Sequence, residues 1–199
     1  MMTKRERILR MARTSGVLRP RDVEARGISG GYLNKLHAEG LLERPSRGIY
    51  VLPGTDFGEQ GQLAESCKRI PSGVLCLLTA LKYHDLTTQA PHEIWMAIDR
   101  KSRLPSVEYP PLRFVRYSGR SLTYGVLTRK VARASIRIFS PAKTVADCFK
   151  YRHKIGLDVA LEALRDCWSK RKATSEQLWE AAKVCRMTNV MRPYMEALL

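Results

Sequence analysis

A short helix that runs directly into a basic hairpin is the feature that most constrains this chain. Residues 29–40 read SGGYLNKLHAEG. We expect Ser29 to cap a helix and Gly40 to end it, because a serine hydroxyl accepts from first-turn amides and glycine readily turns left-handed. Rotation by about 100° per residue places Leu33 and Leu36 on one side of that helix. The opposite side is then small, polar and basic.

The residues after this helix predict a β-hairpin. Apolar runs at 41–42 and 49–52 flank the turn-forming residues 45–48. A helix followed by a hairpin with basic residues near its tip is typical of a winged helix-turn-helix, whose helix enters the major groove while the wing contacts the DNA backbone or minor groove. We expect Asn34 and Lys35 to read bases.

Two further helices precede this unit. Thr3 can cap a helix to about Thr14, and Pro20 can open a short second helix whose first turn faces phosphate. Three helices and a hairpin therefore predict a DNA-binding domain over residues 1–55. The predicted DNA contacts are Arg19, Arg21, Ser29, Gly31, Tyr32, Asn34, Lys35, Arg44, Ser46 and Arg47.

Gly30 and Gly31 are unusual inside a predicted helix, because each costs up to about 1 kcal/mol relative to alanine. One interpretation is a close approach of the backbone to DNA. The other is a frayed first turn before Tyr32. The sequence leaves both open.

The remainder, residues 56–199, predicts a mixed α+β domain, so the fold class is α+β with an N-terminal winged helix-turn-helix domain. Apolar periodicity and alternation define its elements. They are a buried helix over 74–84, strands over 93–99, 112–117 and about 131–139, and helices beginning at Ser140-Pro141 and over 157–168, 175–185 and 189–199.

A net charge of +16 predicts attraction to a polyanion and salt-sensitive binding. Residues 100–137 hold ten basic residues and one acidic residue, so we expect a second basic surface there. It would bind extended operator DNA or RNA, or would serve solubility alone. Its predicted members are Arg100, Lys101, Arg103, Arg113, Arg116, Arg133 and Arg137, of which Arg113, Arg116, Arg133 and Arg137 are expected to share one strand face.

The cysteines argue against a metal or cofactor. All five are scattered and none is in a Cys-x-x-Cys spacing, which predicts reduced, mostly buried thiols and no metal site. The N-terminus lacks the apolar core of a signal peptide, and there is no run of 18 apolar residues. We therefore expect a cytoplasmic protein that does not interact with membranes.

Three later segments carry a family resemblance. They read GVLCLLTAL at 73–81, SPAKTVADCF at 140–149 and YRHKIGLDVALEAL at 151–164. In this order after a winged helix, they resemble the AbiEi antitoxins of type IV toxin-antitoxin (abortive infection) systems. None of them is a catalytic signature, so we expect no enzymatic activity.

The resemblance implies two roles. The winged helix would bind double-stranded operator DNA and repress its own operon, and the second domain would counteract a nucleotidyltransferase-like toxin without forming a stable complex. It also carries DNA contact over to Tyr32, Asn34, Lys35, Arg44 and Arg47.

Two other functions remain open from the residues. Glu93, Asp99 and Lys101 have the residue types of a metal-dependent nuclease, in which carboxylates hold Mg²⁺ and lysine stabilises developing charge. A ligand-sensing regulator with a pocket in the second domain is the other. Lys143 and Asp147, four residues apart on a predicted helix, are expected to form a surface ion pair contributing a few tenths of a kcal/mol.

Overall fold

The computed structural model describes residues 2–54, 59–105, 107, 110–131 and 134–198, with the backbone alone at residues 46 and 59. The chain forms two compact units, Met1–Arg69 with Lys130–Ile136, and Ile70–Arg129 with Arg137–Leu199. The predicted α+β class with a winged helix at its head is confirmed. The domain boundary expected at residue 55 falls outside the described residues.

The N-terminal unit is a winged helix followed by one more helix. Its core is built from one apolar face of each of the first three helices, with Ile8, Val23, Leu33 and Leu36 completely buried. The elements are α1 (Lys4–Ser15), α2 (Pro20–Glu24), α3 (Gly31–Ala38), β1 (Glu43–Ser46), β2 (Ile49–Val51) and α4 (Glu59–Arg69).

Helix ends in this unit follow local chemistry, with one exception. Thr3 caps α1 in a capping box with Glu6, as expected. Gly40 adopts φ +70° after α3, and the Leu41 amide donates back to the Leu36 carbonyl, a glycine-type helix stop. The expected Ser29 cap is wrong, because α3 begins one residue later and its N-cap is Gly30, which has no side chain to accept a hydrogen bond.

The structure explains Gly30 by packing inside the protein. A Cβ added there would lie 2.8 Å from Pro20 Cβ and 2.6 Å from Glu24 Oε1, so the start of α3 sits directly against α2. At Gly31 the nearest atom to such a Cβ is Ser29 Oγ at 3.6 Å, an ordinary contact. Helix packing is therefore a third explanation that the sequence did not suggest.

The wing is held to the body by backbone hydrogen bonds. β1 and β2 pair antiparallel, with Ser46 opposite Ile49, so Arg47 and Gly48 form a two-residue turn in which Gly48 has φ +75°. Leu18 and Tyr50 exchange two backbone hydrogen bonds of 2.9 Å. This bridge extends the hairpin by a third, one-residue strand.

The rest of the chain places helices around a mixed five-stranded sheet, whose strands lie in the order β5 (Leu112–Tyr117), β4 (Ile94–Asp99), β3 (Val74–Leu75), β7 (Ala134–Phe139) and β6 (Val126–Val131). β3 is antiparallel to β4 and parallel to β7, and β4 is parallel to β5. No described helix has the length and apolarity needed to cross a membrane. The elements are β3 (Val74–Leu75), α5 (Leu77–His84), β4 (Ile94–Asp99), β5 (Leu112–Tyr117), α6 (Arg120–Thr123), β6 (Val126–Val131), β7 (Ala134–Phe139), α7 (Pro141–Lys150), α8 (Arg152–Ile155), α9 (Leu157–Ser169), α10 (Ser175–Cys185) and α11 (Thr188–Glu196).

Two strands of the sheet differ from the sequence prediction. Val74 and Leu75 are the central strand, not the start of a helix, because a short apolar run fits a buried strand and a buried helix equally well. Cys76 separates this strand from α5, whose first residue, Leu77, has φ +45°. β6 was missed because Thr128, Arg129 and Lys130 on it are exposed and polar.

We expect Gly30→Ala to lower the free energy of unfolding by about 1–3 kcal/mol, because its methyl group would meet the rigid Pro20 ring. Gly31→Ala is the matched control, and we expect it to be neutral or to stabilise by up to about 1 kcal/mol through helix propensity. Urea unfolding followed by circular dichroism measures both. Equal effects of the two variants would contradict the packing explanation.

Candidate nucleic-acid interface

The outward face of α3 presents the two residues expected to read bases. Leu33 and Leu36 are completely buried, whereas Asn34 and Lys35 are exposed on the other side. The Lys35 side chain is 63% exposed, and its ammonium lies 4.0 Å from Glu39 Oε1 and 5.7 Å from the centre of the Tyr32 ring. Such exposed i,i+4 pairs are weak, so this lysine can reorient toward a ligand.

Asn34 is held by a residue of the wing that the sequence did not single out. The Tyr50 hydroxyl donates a hydrogen bond to Asn34 Oδ1. Tyr50 is 2% exposed, so its ring belongs to the core while its polar end reaches the surface of α3. An amide oxygen has a second lone pair, so Asn34 keeps an acceptor as well as its two N–H donors. The sequence of β2 did not predict this contact, because Tyr50 lies between Ile49 and Val51 in a run of three buried residues.

The wing arginines are exposed. The Arg44 guanidinium lies 5.7 Å from the centre of the Tyr50 ring, so the same tyrosine contacts both α3 and the wing. Arg47 lies in the turn and is exposed, and its backbone carbonyl accepts a 3.3 Å hydrogen bond from Arg69 Nη2. The side chain of Ser46 lies outside the described part of the structure.

The other predicted contacts on α3 are less uniform. Ser29 and Gly31 are exposed at its start. Tyr32 is half-buried and packs against the core of the N-terminal unit, so part of its side chain remains accessible to solvent.

The two arginines of α2 differ. Arg21 is exposed, with Nη2 3.4 Å from the Lys68 carbonyl. The side chain of Arg19 is only 14% exposed, and its Nε lies 3.5 Å from Asp22 Oδ2. Lys68 Nζ lies 3.6 Å from the same oxygen. Burial lowers the pKa of Arg19, and the Asp22 carboxylate opposes that shift. Arg19 therefore lies within a charge cluster of the protein itself, and the phosphate contact expected of it stays a prediction.

The second basic surface does not form the single face that the sequence suggested. Arg113 and Arg116 are three residues apart on β5, and strand side chains alternate with a period of two, so they lie on opposite faces. Arg113 pairs with Glu93 at 2.7 Å and lies 4.9 Å from the centre of the Trp95 ring. Arg137 donates to the carbonyls of residues 71 and 72 at 3.4 and 3.1 Å. Arg133 lies outside the described residues.

A smaller basic cluster remains at the end of β4. Arg116 Nη1 donates to the carbonyls of Arg100 and Ser102, at 2.6 and 3.0 Å, which fixes the loop that carries Lys101 and Arg103. All four basic side chains are exposed. Nucleic-acid contact at this smaller cluster remains a prediction.

The residues named for a nuclease are not arranged as a metal site. Asp99 ends β4 and Glu93 comes just before its first residue, so the five steps from Ile94 to Asp99, about 17 Å at about 3.3 Å per residue, lie between the two carboxylates. A single Mg²⁺ needs its ligand oxygens at about 2.1 Å, so these carboxylates cannot share one. Asp99 Oδ1 accepts from the Lys101 amide at 2.7 Å. Among the described residues, no group of three potential metal ligands was found.

Lys143 and Asp147 form a completely buried ion pair, so the expectation of a surface pair is wrong. The pair was misjudged because i,i+4 spacing carries no information on burial. Lys143 Nζ bonds to Asp147 Oδ2 and lies 4.1 Å from the centre of the Phe139 ring and 4.9 Å from that of Tyr117. Burial raises the pKa of Asp147, while the Lys143 ammonium acts in the opposite direction.

Buried thiols surround this pair. Cys185 Sγ donates to Asp147 Oδ1 at 3.3 Å. Burial and the nearby carboxylate raise the pKa of Cys185 to about 12, so its thiol stays protonated. All five cysteines are free and buried, which confirms the expectation of reduced structural thiols. With no exposed group, this cluster serves folding and offers no reactive site.

Comparison with known proteins agrees with the geometry of the N-terminal unit. Residues 6–53 match the family described as transcriptional regulator, AbiEi antitoxin. The whole chain resembles the crystal structure of the RV2827C protein from Mycobacterium tuberculosis, with a TM-score of 0.57 and 14% sequence identity, over 100% of this chain and 81% of that one. That likeness is one of fold. No curated relative matches the sequence.

Removing one charge of the buried pair should destabilise the second unit strongly. We expect Lys143→Met to lower its free energy of unfolding by about 3–5 kcal/mol, because an uncompensated carboxylate remains buried. Lys143→Met/Asp147→Leu should be less damaging than the single change. All three tryptophans, Trp95, Trp168 and Trp179, lie in the second unit, so tryptophan fluorescence during urea unfolding reports on it. A double variant less stable than the single one would show that the pair is not the cause.

Proposed function

We propose that this chain, whose residues 6–53 match the family described as transcriptional regulator, AbiEi antitoxin, binds the operator of its own operon and represses it. We also propose that the same protein counteracts a nucleotidyltransferase-like toxin without forming a stable complex with it. The observation that carries the first role is the exposed pair Asn34 and Lys35 on α3, with Asn34 held by Tyr50.

Base reading by Asn34 depends on how it is held. A free asparagine side chain loses rotamer freedom when it binds a base edge, which weakens binding. The hydrogen bond from Tyr50 restricts that freedom before DNA arrives. Since Tyr50 is also fixed by two backbone hydrogen bonds to Leu18, the amide is anchored to the body of the domain. In this proposal Tyr50 is a positioning residue that touches no DNA.

Phosphate contacts come from the exposed cations on either side of α3. Arg21 on α2 and the wing arginines Arg44 and Arg47 would hold the duplex backbone, while Lys35 contacts a base or the adjacent phosphate. Arg19 is left out of this proposed surface, because Asp22 and Lys68 enclose it. In this proposal the major groove of the DNA is approached past Ser29, Gly31 and Tyr32.

The antitoxin role rests on the match of residues 6–53 to the AbiEi antitoxin family. A nuclease mechanism is disfavoured by the separation of Glu93 and Asp99, and Glu93 is paired with Arg113. Reaction chemistry is therefore assigned to the toxin, and this chain acts through binding. The basic cluster of Arg100, Lys101, Arg103 and Arg116 is the candidate surface for that role, by contact with RNA or DNA.

Variants of the two contact types should differ in operator binding. We expect Asn34→Ala to lose about 1–3 kcal/mol of discrimination at one base position. Arg47→Ala should instead weaken binding about equally for all sequences and reduce the salt slope by about one. Titration of the promoter duplex and of single-base variants at several salt concentrations measures both effects. Binding of both variants like the parent would remove α3 and the wing from the interface.

Tyr50→Phe keeps the buried ring and removes only the hydroxyl, so it isolates the positioning contact. We expect it to reduce discrimination at the same base position as Asn34→Ala, with an unchanged salt slope. The double variant should be no worse than Asn34→Ala alone, because both changes remove one interaction. If the losses of binding free energy were additive, Tyr50 would act by a route other than Asn34. A lower free energy of unfolding of Tyr50→Phe would then identify that route as stability.

DNA binding and toxin antagonism should be separable in the full chain. We expect Asn34→Ala/Arg47→Ala to lose repression of a promoter reporter while still restoring growth when the nucleotidyltransferase-like toxin is expressed. Both substituted side chains are exposed in the N-terminal unit, so the second unit stays intact. Loss of growth rescue at equal protein levels would mean that DNA contact is needed for antagonism.

A further inference from the structure

A concave groove in the N-terminal unit is a second place where this unit can bind an anion. It has a volume of about 950 Å³ and lies among α1, α2, the segments flanking α2, and α4. None of its lining residues comes from α3 or from the wing. The groove is therefore distinct from the surface proposed for base reading.

Three arginines give the groove its charge. Arg7, Arg10 and Arg26 line it and are exposed, and across the described part of the chain no carboxylate lies within 4.0 Å of any of them. Their hydrogen bonds go to neutral groups. Arg7 donates to the Arg26 carbonyl at 3.4 Å, Arg26 donates to the Asp22 carbonyl at 3.0 Å, and Arg10 Nη1 faces Met2 Sδ at 3.8 Å.

The one acidic residue of the groove does not cancel this charge. Asp22 already pairs with two cations, Arg19 and Lys68, at 3.5 and 3.6 Å, so its negative charge is offset by groups other than the three arginines. Thioether is a weak acceptor, so the contact of Arg10 with Met2 leaves most of its hydrogen-bonding capacity unused. Guanidinium groups in this state favour phosphate or carboxylate oxygens, which they bind in bidentate fashion.

The rest of the lining is mixed, with polar Thr14, Ser15 and Lys68 and apolar Met2, Met11 and Leu18. Leu18, which is buried, and Met11 form part of the wall, and methionine adapts to flat or irregular ligands. The groove is at the upper end of the size range of small-molecule sites, and larger than a lone phosphate needs. A ligand that fills it has an anionic end for the arginines and a larger body that can contact Met11, Leu18 and the hydroxyls of Thr14 and Ser15.

From this arrangement we propose that the groove bordered by Arg7, Arg10 and Arg26 binds a free nucleotide or a similar phosphate-bearing small molecule. Duplex DNA is the less suitable occupant, because its phosphates line a convex rod and neither the recognition helix nor the wing reaches this groove. Since α2 forms one wall, an occupant contacts the helix that packs against the start of α3.

Isothermal titration of the whole protein with ATP, inorganic triphosphate and adenosine, at about 0.15 M salt, tests the site. We expect saturable binding of ATP, weaker binding of triphosphate and weakest binding of adenosine. Arg10→Ala should weaken ATP binding at least about tenfold, because a charge-assisted hydrogen bond is lost. This change is expected to leave the fold intact, since Met2 is the one hydrogen-bond partner found for the Arg10 guanidinium among the described residues.

Arg5→Ala is the matched control. Arg5 is on the same helix, is exposed and does not line the groove, so it removes the same charge elsewhere. We expect it to change ATP affinity less than about twofold. Equal loss in Arg5→Ala and Arg10→Ala, equal binding of adenosine and ATP, or no saturable binding of ATP would overturn the proposal. So would unchanged ATP affinity in Arg10→Ala together with a smaller salt slope for duplex DNA, which would assign Arg10 to the DNA backbone.

Discussion

Tyr50 is the residue on which the N-terminal unit depends for its shape and for its outward chemistry. Its backbone pairs with Leu18, its ring lies in the core beneath Arg44, and its hydroxyl holds Asn34. One side chain thus joins the hairpin, the segment before α2 and the exposed face of α3. The core of this unit is small, so fixing the exposed face of α3 through a core residue keeps that face rigid without further packing.

The second unit solves a different problem, which is how to bury a full ion pair. Removing a carboxylate and an ammonium from water is unfavourable unless the two charges pair closely and further groups satisfy them. Here the ammonium of Lys143 is flanked by the rings of Phe139 and Tyr117, and Asp147 accepts a second hydrogen bond from Cys185. Gly125, with φ +68°, allows this packing, because a Cβ there would lie 2.9 Å from Lys143 Cβ. The pair therefore requires neighbours from β5, β7 and α10 and from the turn that carries Gly125.

Local signals in the sequence were sufficient for the helices and for the outline of the wing. The caps at Thr3 and Ser140 and the glycine stop at residue 40 depend on a few neighbouring residues, and the structure has each of them. Contacts between distant segments carry no such signal. Neither the bond between Tyr50 and Asn34 nor the burial of Lys143 follows from spacing along the chain. The one-face arrangement of Arg113 and Arg116 was wrong for a simpler reason, since a separation of three reverses the face of a strand.

Net charge likewise indicates a class of partner without indicating a surface. Of the basic residues singled out from the sequence, Arg19 and Arg113 pair with carboxylates, and Arg137 and Arg116 bind backbone carbonyls. An arginine bound to a carbonyl keeps its charge, but its guanidinium is held in place. Among the described residues, the Lys35 ammonium has only weak contacts with Glu39 and the Tyr32 ring, and no partner is found for the Arg47 guanidinium. A polyanion contacts first the cations that need not leave a partner, because breaking an internal pair offsets the gain. On that basis the excess of positive charge favours contact with a polyanion over the whole protein, and in the proposed function the exposed residues of α3 and the wing select where DNA binds.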